Sequence, residues 1–275
     1  MSAGLSNLQI RVISAVVLGV AVLALTWFGA LPFRLLAAVI AGAIFYEWTL
    51  MARAGGASRL GFLPEALMLV FFGVLIAGLP ALTTAAILAL LVAIAAIGVA
   101  MRGTGQWDAA GLAYAGLSGF ALAFLRDSDW SGLAAMLFLF AVVWATDIFA
   151  YFVGKAVGGP KLAPAISPGK TRSGALGGVV FGVAAGVLVA VVLGLPNLAT
   201  LALVALVLSI VAQAGDLFES WIKRRHGAKD SSTIIPGHGG VMDRVDGLVA
   251  AAAALYLIGW MAGSADHPAQ GLFPV

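Results

Sequence analysis

The chain has 275 residues, 62% of them hydrophobic and only 10% charged, with 15 Lys+Arg against 12 Asp+Glu. A soluble domain carries about 25% charged and 45–50% apolar residues, so a water-soluble enzyme, a disordered chain and a nucleic-acid binder are all poor fits. The isoelectric point of 9.4 suggests a polyanion partner only until the bases are placed: they sit between apolar runs, as in a polytopic membrane protein.

In chain order, nine apolar runs reach or approach the roughly 20 residues that span a bilayer. They are Val12–Ala30, Leu31–Leu50, Phe62–Leu79, Ala81–Ala100, Ala109–Leu125, Leu133–Val153, Gly174–Leu195, Ala199–Phe218 and Val245–Ala262. The first is followed at once by the second, so it reads as an uncleaved anchor and not a signal peptide. The predicted class is an all-α polytopic integral membrane protein with about nine transmembrane helices. With that count, Arg11, Arg53, Arg59, Arg102, Lys155, Lys161, Lys170, Arg172, Lys223, Arg224, Arg225, Lys229 and Arg244 fall on one side, leaving only Arg34 and Arg126 on the other. The positive-inside rule makes the first side, with the N-terminus, cytoplasmic and the C-terminus external. The absence of cysteine excludes disulfides, cysteine–zinc sites and thiol catalysis.

Residues 1–140 read as a scaffold giving lipid access. Arg34 and Glu47, near span ends, read as snorkelling or locally paired side chains. Trp27, Trp48, Trp221 and Trp260 sit where an aromatic belt is expected. Residues 141–275 read as the catalytic bundle, with two long polar loops, 154–173 and 223–244, on the cytoplasmic side. Between the loops, Gly174, Gly178, Gly182 and Gly186 recur every four residues, a spacing that lets helix backbones approach closely.

Asp147 and Tyr151, four apart, share a helical face, and an Asp inside a span marks a functional site or a structural bond to a neighbouring helix. Ser167, Lys170 and Thr171 offer donors to phosphate oxygens. Gly169-Lys170-Thr171 looks like the end of a nucleotide P-loop, but position 164 is Pro and a membrane helix precedes the loop, so the P-loop is rejected. Near the end of the eighth span, Asp216, Glu219, Ser220 and Lys223 make one polar stripe. Asp216 is there expected at a helix C-terminal end, where the dipole opposes it. Asp243 and Asp246, three apart, open the ninth span on one face. Three carboxylates converging from two helix ends ask for a cation, and hard oxygen ligands beside phosphates suit Mg²⁺, as one ion or a pair. His238 lies in a Gly-rich turn with no second His, which argues against zinc. Lys223, Arg224, Arg225, Lys229 and Arg244 suit a multiply anionic substrate, or the anionic lipid surface.

These residues resemble phosphatidate cytidylyltransferase, the CDP-diacylglycerol synthase family. Ser220-Trp-Ile-Lys223-Arg224, Lys229-Asp230 and His238-Gly239-Gly240-Val-Met-Asp243-Arg244-Val-Asp246 meet every fixed position of its signature across 27 residues. Asp147, Tyr151, Gly154 and Ser167-Pro168-x-Lys170-Thr171 also look like the family. The resemblance implies Mg²⁺-dependent transfer from CTP to phosphatidate in a bacterial-type inner membrane, with CDP-diacylglycerol and pyrophosphate as products. For that reaction Asp216 and Asp243 are expected to hold Mg²⁺ on the CTP phosphates, and Asp246 to support the metal or orient Arg244. Lys223, Arg224, Lys229 and Arg244 would neutralise phosphates, with Ser167, Lys170, Thr171, Ser220, His238, Asp147 and Tyr151 completing the substrate site. No nucleic-acid partner is expected, and a homodimer is left open. Asp243→Asn is expected to abolish turnover while leaving folding intact. One position departs from the family, which is usually acidic where Ser173 stands; Ser173 is expected to cap the seventh span instead. The alternatives are a cytidylyltransferase for another lipid phosphate and an ion-coupled transporter using Asp147 and Asp216.

Overall fold

The computed structural model describes residues 7–54, 61–102, 106–235 and 239–274. Among them nine helices follow one another: α1 (Asn7–Phe28), α2 (Ala30–Ala54), α3 (Leu63–Ala77), α4 (Ala81–Arg102), α5 (Trp107–Arg126), α6 (Trp130–Val157), α7 (Arg172–Val192), α8 (Leu198–Arg225) and α9 (Met242–Ala262). Each coincides with one expected span. Seven of them are long and apolar enough to cross a membrane by length and composition. The 15 residues of α3 measure about 22 Å at 1.5 Å per residue, short of a 30 Å hydrocarbon core. The ends of α3 still reach opposite faces of the bundle. At its start Glu65 pairs with Arg53 from the end of α2. Past its end, Ala81 N donates to Asp266 Oδ1, beyond α9, at 2.6 Å.

That second face is closed by polar contacts. Arg126, almost fully buried at the end of α5, donates to the carbonyls of Thr26, Trp27 and Asp129. His267 Nδ1 lies 2.6 Å from Asp127 Oδ2, and Gln270 Nε2 donates to Asp129 Oδ2 at 2.8 Å. The segment after α9 is thereby tied to the α5–α6 turn, away from the polar loops.

The glycine stripe does what its spacing implies, and its partner is α6. A Cβ added at Gly178 would stand 2.8 Å from the Thr146 carbonyl oxygen, and one at Gly174 2.5 Å from the Ala150 carbonyl oxygen. Backbone cannot yield as a side-chain tip can, so only glycine allows this approach. Beside the stripe, Thr146 Oγ1 and Ser209 Oγ meet at 2.7 Å, joining α6 to α8.

The structure alters several expectations. The first polar loop is mostly ordered: α6 runs on to Val157, and β1 (Lys161–Ala163) and β2 (Ser167–Thr171) form an antiparallel hairpin pairing Lys161 with Thr171 and Ala163 with Ser167. Ser173 is not the cap of α7. Thr171, extended at φ −116° and ψ 157° because it ends β2, accepts from Gly174 N at 3.1 Å. Ser173 Oγ instead donates to the Gly158 carbonyl, tying α7 to the end of α6. Trp48 is not in an aromatic belt. It is 3% exposed in the core, with its indole N–H donating to the Trp107 carbonyl at 2.8 Å. Trp27, Trp221 and Trp260 are exposed at helix ends. Lastly, α8 continues to Arg225, so Asp216 lies within a helix and not at its C-terminal end, and the dipole argument against it lapses.

Candidate active site

Two polar clusters meet where α6 and α8 end and α7 and α9 begin. The first lines a cavity of about 640 Å³ between the hairpin, α6, α7 and α8, with Asp147, Tyr151, Lys155, Lys161, Lys170, Thr171, Gln213 and Asp216 on its walls. Lys170 on β2 forms an ion pair with Asp216 on α8, clasping the hairpin onto the helix. Both side chains keep about 30% exposure on the cavity wall. Lys155 lies over the Tyr151 ring at 5.8 Å. Thr171 contributes from a nearly buried position with its hydroxyl already engaged as a cap. Ser167, at the far end of β2, is not among the lining residues.

The second cluster is drier. Lys223 Nζ lies 2.7 Å from Glu219 Oε2 and 2.6 Å from Asp243 Oδ1, with 11% of its side chain exposed. Asp243 Oδ2 accepts from Ser231 N at 3.0 Å, Ser231 Oγ at 2.9 Å and Gly240 N at 2.9 Å. Lys223 Nζ, Ser231 N and Gly240 N are thus three donors fixed on the Asp243 carboxylate, with the Ser231 hydroxyl within reach as a shared fourth. Glu219 is fully buried, and Lys223 is its ion-pair partner.

Asp246 lies between the clusters. A Cβ on Gly215 would stand 2.8 Å from the Asp246 carbonyl, so α8 and α9 touch beside Asp216. Although Asp243 and Asp246 are one turn apart, Asp243 serves the Lys223–Ser231 side, whereas Asp246 Oδ1 accepts from Gly247 N at 2.7 Å. Among the described residues no three His, Asp or Glu side chains form a group able by themselves to hold a metal.

The remaining expected residues are distributed around these clusters. Ser220 Oγ reaches Asp216 Oδ1 at 3.4 Å, a long contact. Arg224 is exposed and donates to the Ala228 carbonyl at 3.1 Å, while Lys229 and Arg244 are exposed on the same face. His238 lies outside the described residues. A second, more open cavity of about 630 Å³ is lined by Trp107, Ile166, Trp221, Arg224, Arg225 and His226. Burial and the adjacent Arg225 push His226 below its usual range.

Sequence reasoning missed two residues that the structure brings in. Glu47 neither snorkels nor pairs locally. It is completely buried and accepts from Ser231, Ser232, Val241 and Met242. Ser231 in turn places its hydroxyl 2.9 Å from both Glu47 Oε2 and Asp243 Oδ2, with one proton to share between them. A buried acid in an apolar helix was the only local signal, and it says nothing of partners more than 180 positions away.

The family described as Cytidylyltransferase family matches residues 9–262. A phosphatidate cytidylyltransferase of Brucella suis biovar 1 is 49% identical over 269 residues, covering 98% of this chain and 99% of that protein. One from Brucella melitensis biotype 1 is 48% identical over the same shares. One from Bacillus subtilis is 42% identical over 135 residues, covering 49% of this chain and 50% of that protein.

Proposed function

This chain belongs to the cytidylyltransferase family, and on that premise we propose that it transfers a cytidylyl group from CTP to phosphatidate, giving CDP-diacylglycerol and pyrophosphate. The observation that carries this reading, beside kinship along nearly the whole chain, is the Lys170–Asp216 clasp on the wall of a 640 Å³ cavity at one end of a helical bundle. There a water-soluble nucleotide and a bilayer-held phosphate can meet. A phosphatidate oxygen attacks the α-phosphorus of CTP and pyrophosphate leaves opposite it. The phosphate monoester is already anionic at neutral pH, so catalysis is chiefly positioning and charge stabilisation, with no strong base required. Lys170 and Lys155 on the cavity wall, and Lys161 at the start of β1, face the negative charge that the substrates bring.

The residues fit Mg²⁺ in the way that ion is usually held, by one or two carboxylates with substrate oxygens completing its shell. Asp216 would be the first ligand, with Asp246 and Asp147 as neighbouring carboxylates. Asp243 would join only by releasing a donor, since Lys223 Nζ, Ser231 N and Gly240 N already occupy it. Bound there, the cation would offset charge on the phosphates during displacement. In detergent, labelled CTP and phosphatidate with Mg²⁺ are expected to yield a labelled CDP-lipid, and EDTA to stop it reversibly. Equal product without phosphatidate would overturn the acceptor, and full activity in EDTA the cation.

The site is proposed to face the cytoplasm. Of 15 basic residues, 13 belong to the side carrying the loops. Reporter fusions after Gly158 and Ala228 are expected to read cytoplasmic and a fusion at the C-terminus the opposite side. A cytoplasmic C-terminus would invert this orientation or change the number of crossings.

A further inference from the structure

Glu47 stands on α2, in the half of the chain that carries no part of the family signature, yet its carboxylate is the hub of the segment leading into α9. Oε1 accepts from Ser232 Oγ at 2.6 Å and Val241 N at 2.8 Å. Oε2 accepts from Ser231 Oγ at 2.9 Å and Met242 N at 2.7 Å. No side chain of α9's own caps it, so Glu47 satisfies the free N–H groups at its start from another helix, where the helix dipole also favours negative charge. The fit is close: a Cβ on Gly240 would stand 2.6 Å from Glu47 Oε1.

We propose that Glu47 is a positioning residue for the transfer reaction: through Ser231 and the start of α9 it fixes Asp243, and through Asp243 it fixes Lys223. The links are continuous, since Ser231 donates from its backbone to Asp243 at 3.0 Å and Asp243 holds Lys223 at 2.6 Å. The proposal rests on the cytidylyltransferase reading for the step being positioned, though not for the ordering of the segment. Glutamine cannot replace this carboxylate. Each oxygen accepts one backbone N–H, so whichever way the amide turns, its NH₂ confronts a backbone donor. Aspartate keeps the charge but is one methylene too short to reach all four donors.

The test compares wild type, Glu47→Gln and Ser231→Ala, purified in detergent, by steady-state kinetics and by hydrogen–deuterium exchange. Glu47→Gln is expected to lower kcat about 100-fold, the scale of a small misplacement of reacting groups, with a much smaller change in KM for CTP. Exchange should rise in residues 231–242 while α5 to α8 stay as protected as in wild type. Ser231→Ala cuts one bridge and leaves both backbone caps on Glu47, so kcat is expected to fall about 10-fold with a smaller drop in unfolding midpoint than Glu47→Gln shows. If Glu47→Gln keeps wild-type kcat per folded molecule, Glu47 is structural only and the proposal is wrong. If Glu47→Gln does not fold, Ser231→Ala decides, and wild-type kcat there also overturns it. A wild type without CDP-lipid synthesis refutes the assigned reaction, and unchanged exchange in 231–242 then refutes the positioning role separately.

Discussion

Lys223→Met is expected to leave a protein that unfolds far below wild type and makes no CDP-lipid. Lys223 forms ion pairs with both Glu219 and Asp243, at 2.7 and 2.6 Å, and both carboxylates are largely removed from water. Taking one partner from a buried ionic cluster costs about 3–5 kcal/mol, because the charge left behind has neither water nor a counter-ion. Here two carboxylates would be left. Thermal unfolding in detergent measures the loss, and Lys223→Met combined with Glu219→Gln should recover part of the midpoint but none of the turnover. A single variant that unfolds like wild type would mean that water already reaches this cluster. The same geometry revises the expectation for Asp243→Asn. Its retained oxygen can serve the three donors on Oδ2, but its NH₂ then faces Lys223 Nζ, donor against donor. Asp243→Asn should therefore lose stability as well as turnover.

The helices were legible because each is built on an apolar run that hydropathy reads directly, whether or not the bundle buries it. Where the helices end was less so. The last turns of α8 carry Glu219, Ser220, Lys223, Arg224 and Arg225, which lower hydropathy without breaking the helix, so the span seemed to stop at Phe218. The hairpin was illegible: β1 and β2 have three and five residues, too few for a two-residue period, and Pro168 stands within β2. Thr171 and Ser173 are both good caps, and only the strand ending at Thr171 decides between them. The glycine stripe announced a close approach, whereas its partner, α6, came from topology. The signature named Asp243 and Lys223, but the bonds that hold them run through Glu47, and sequence spacing carries no trace of contacts 184 to 195 residues apart.

Asp216→Asn should share the lost turnover of Lys223→Met but not its instability. Asp216 and Lys170 are each about 30% exposed on the cavity wall. An ion pair that wet contributes about 0–1 kcal/mol, and a Lys170 left alone stays solvated. The unfolding midpoint should therefore move little. Turnover should fall about 100- to 1,000-fold, the range for losing one preorganised charge contact at a reacting centre. Two explanations of that loss are separable. If Asp216 serves only to hold Lys170 and the hairpin, then Asp216→Asn, Lys170→Met and the double variant should all lose the same amount, since breaking one pair twice costs nothing more. If Asp216 also binds the cation, Asp216→Asn should be the more severe single change and should raise the Mg²⁺ concentration for half-maximal rate, while Lys170→Met leaves it unchanged. Turnover within about threefold of wild type in Asp216→Asn, far short of that loss, would remove Asp216 from the site. Its place on the wall of the cavity, which Asp147 also lines, favours the cation.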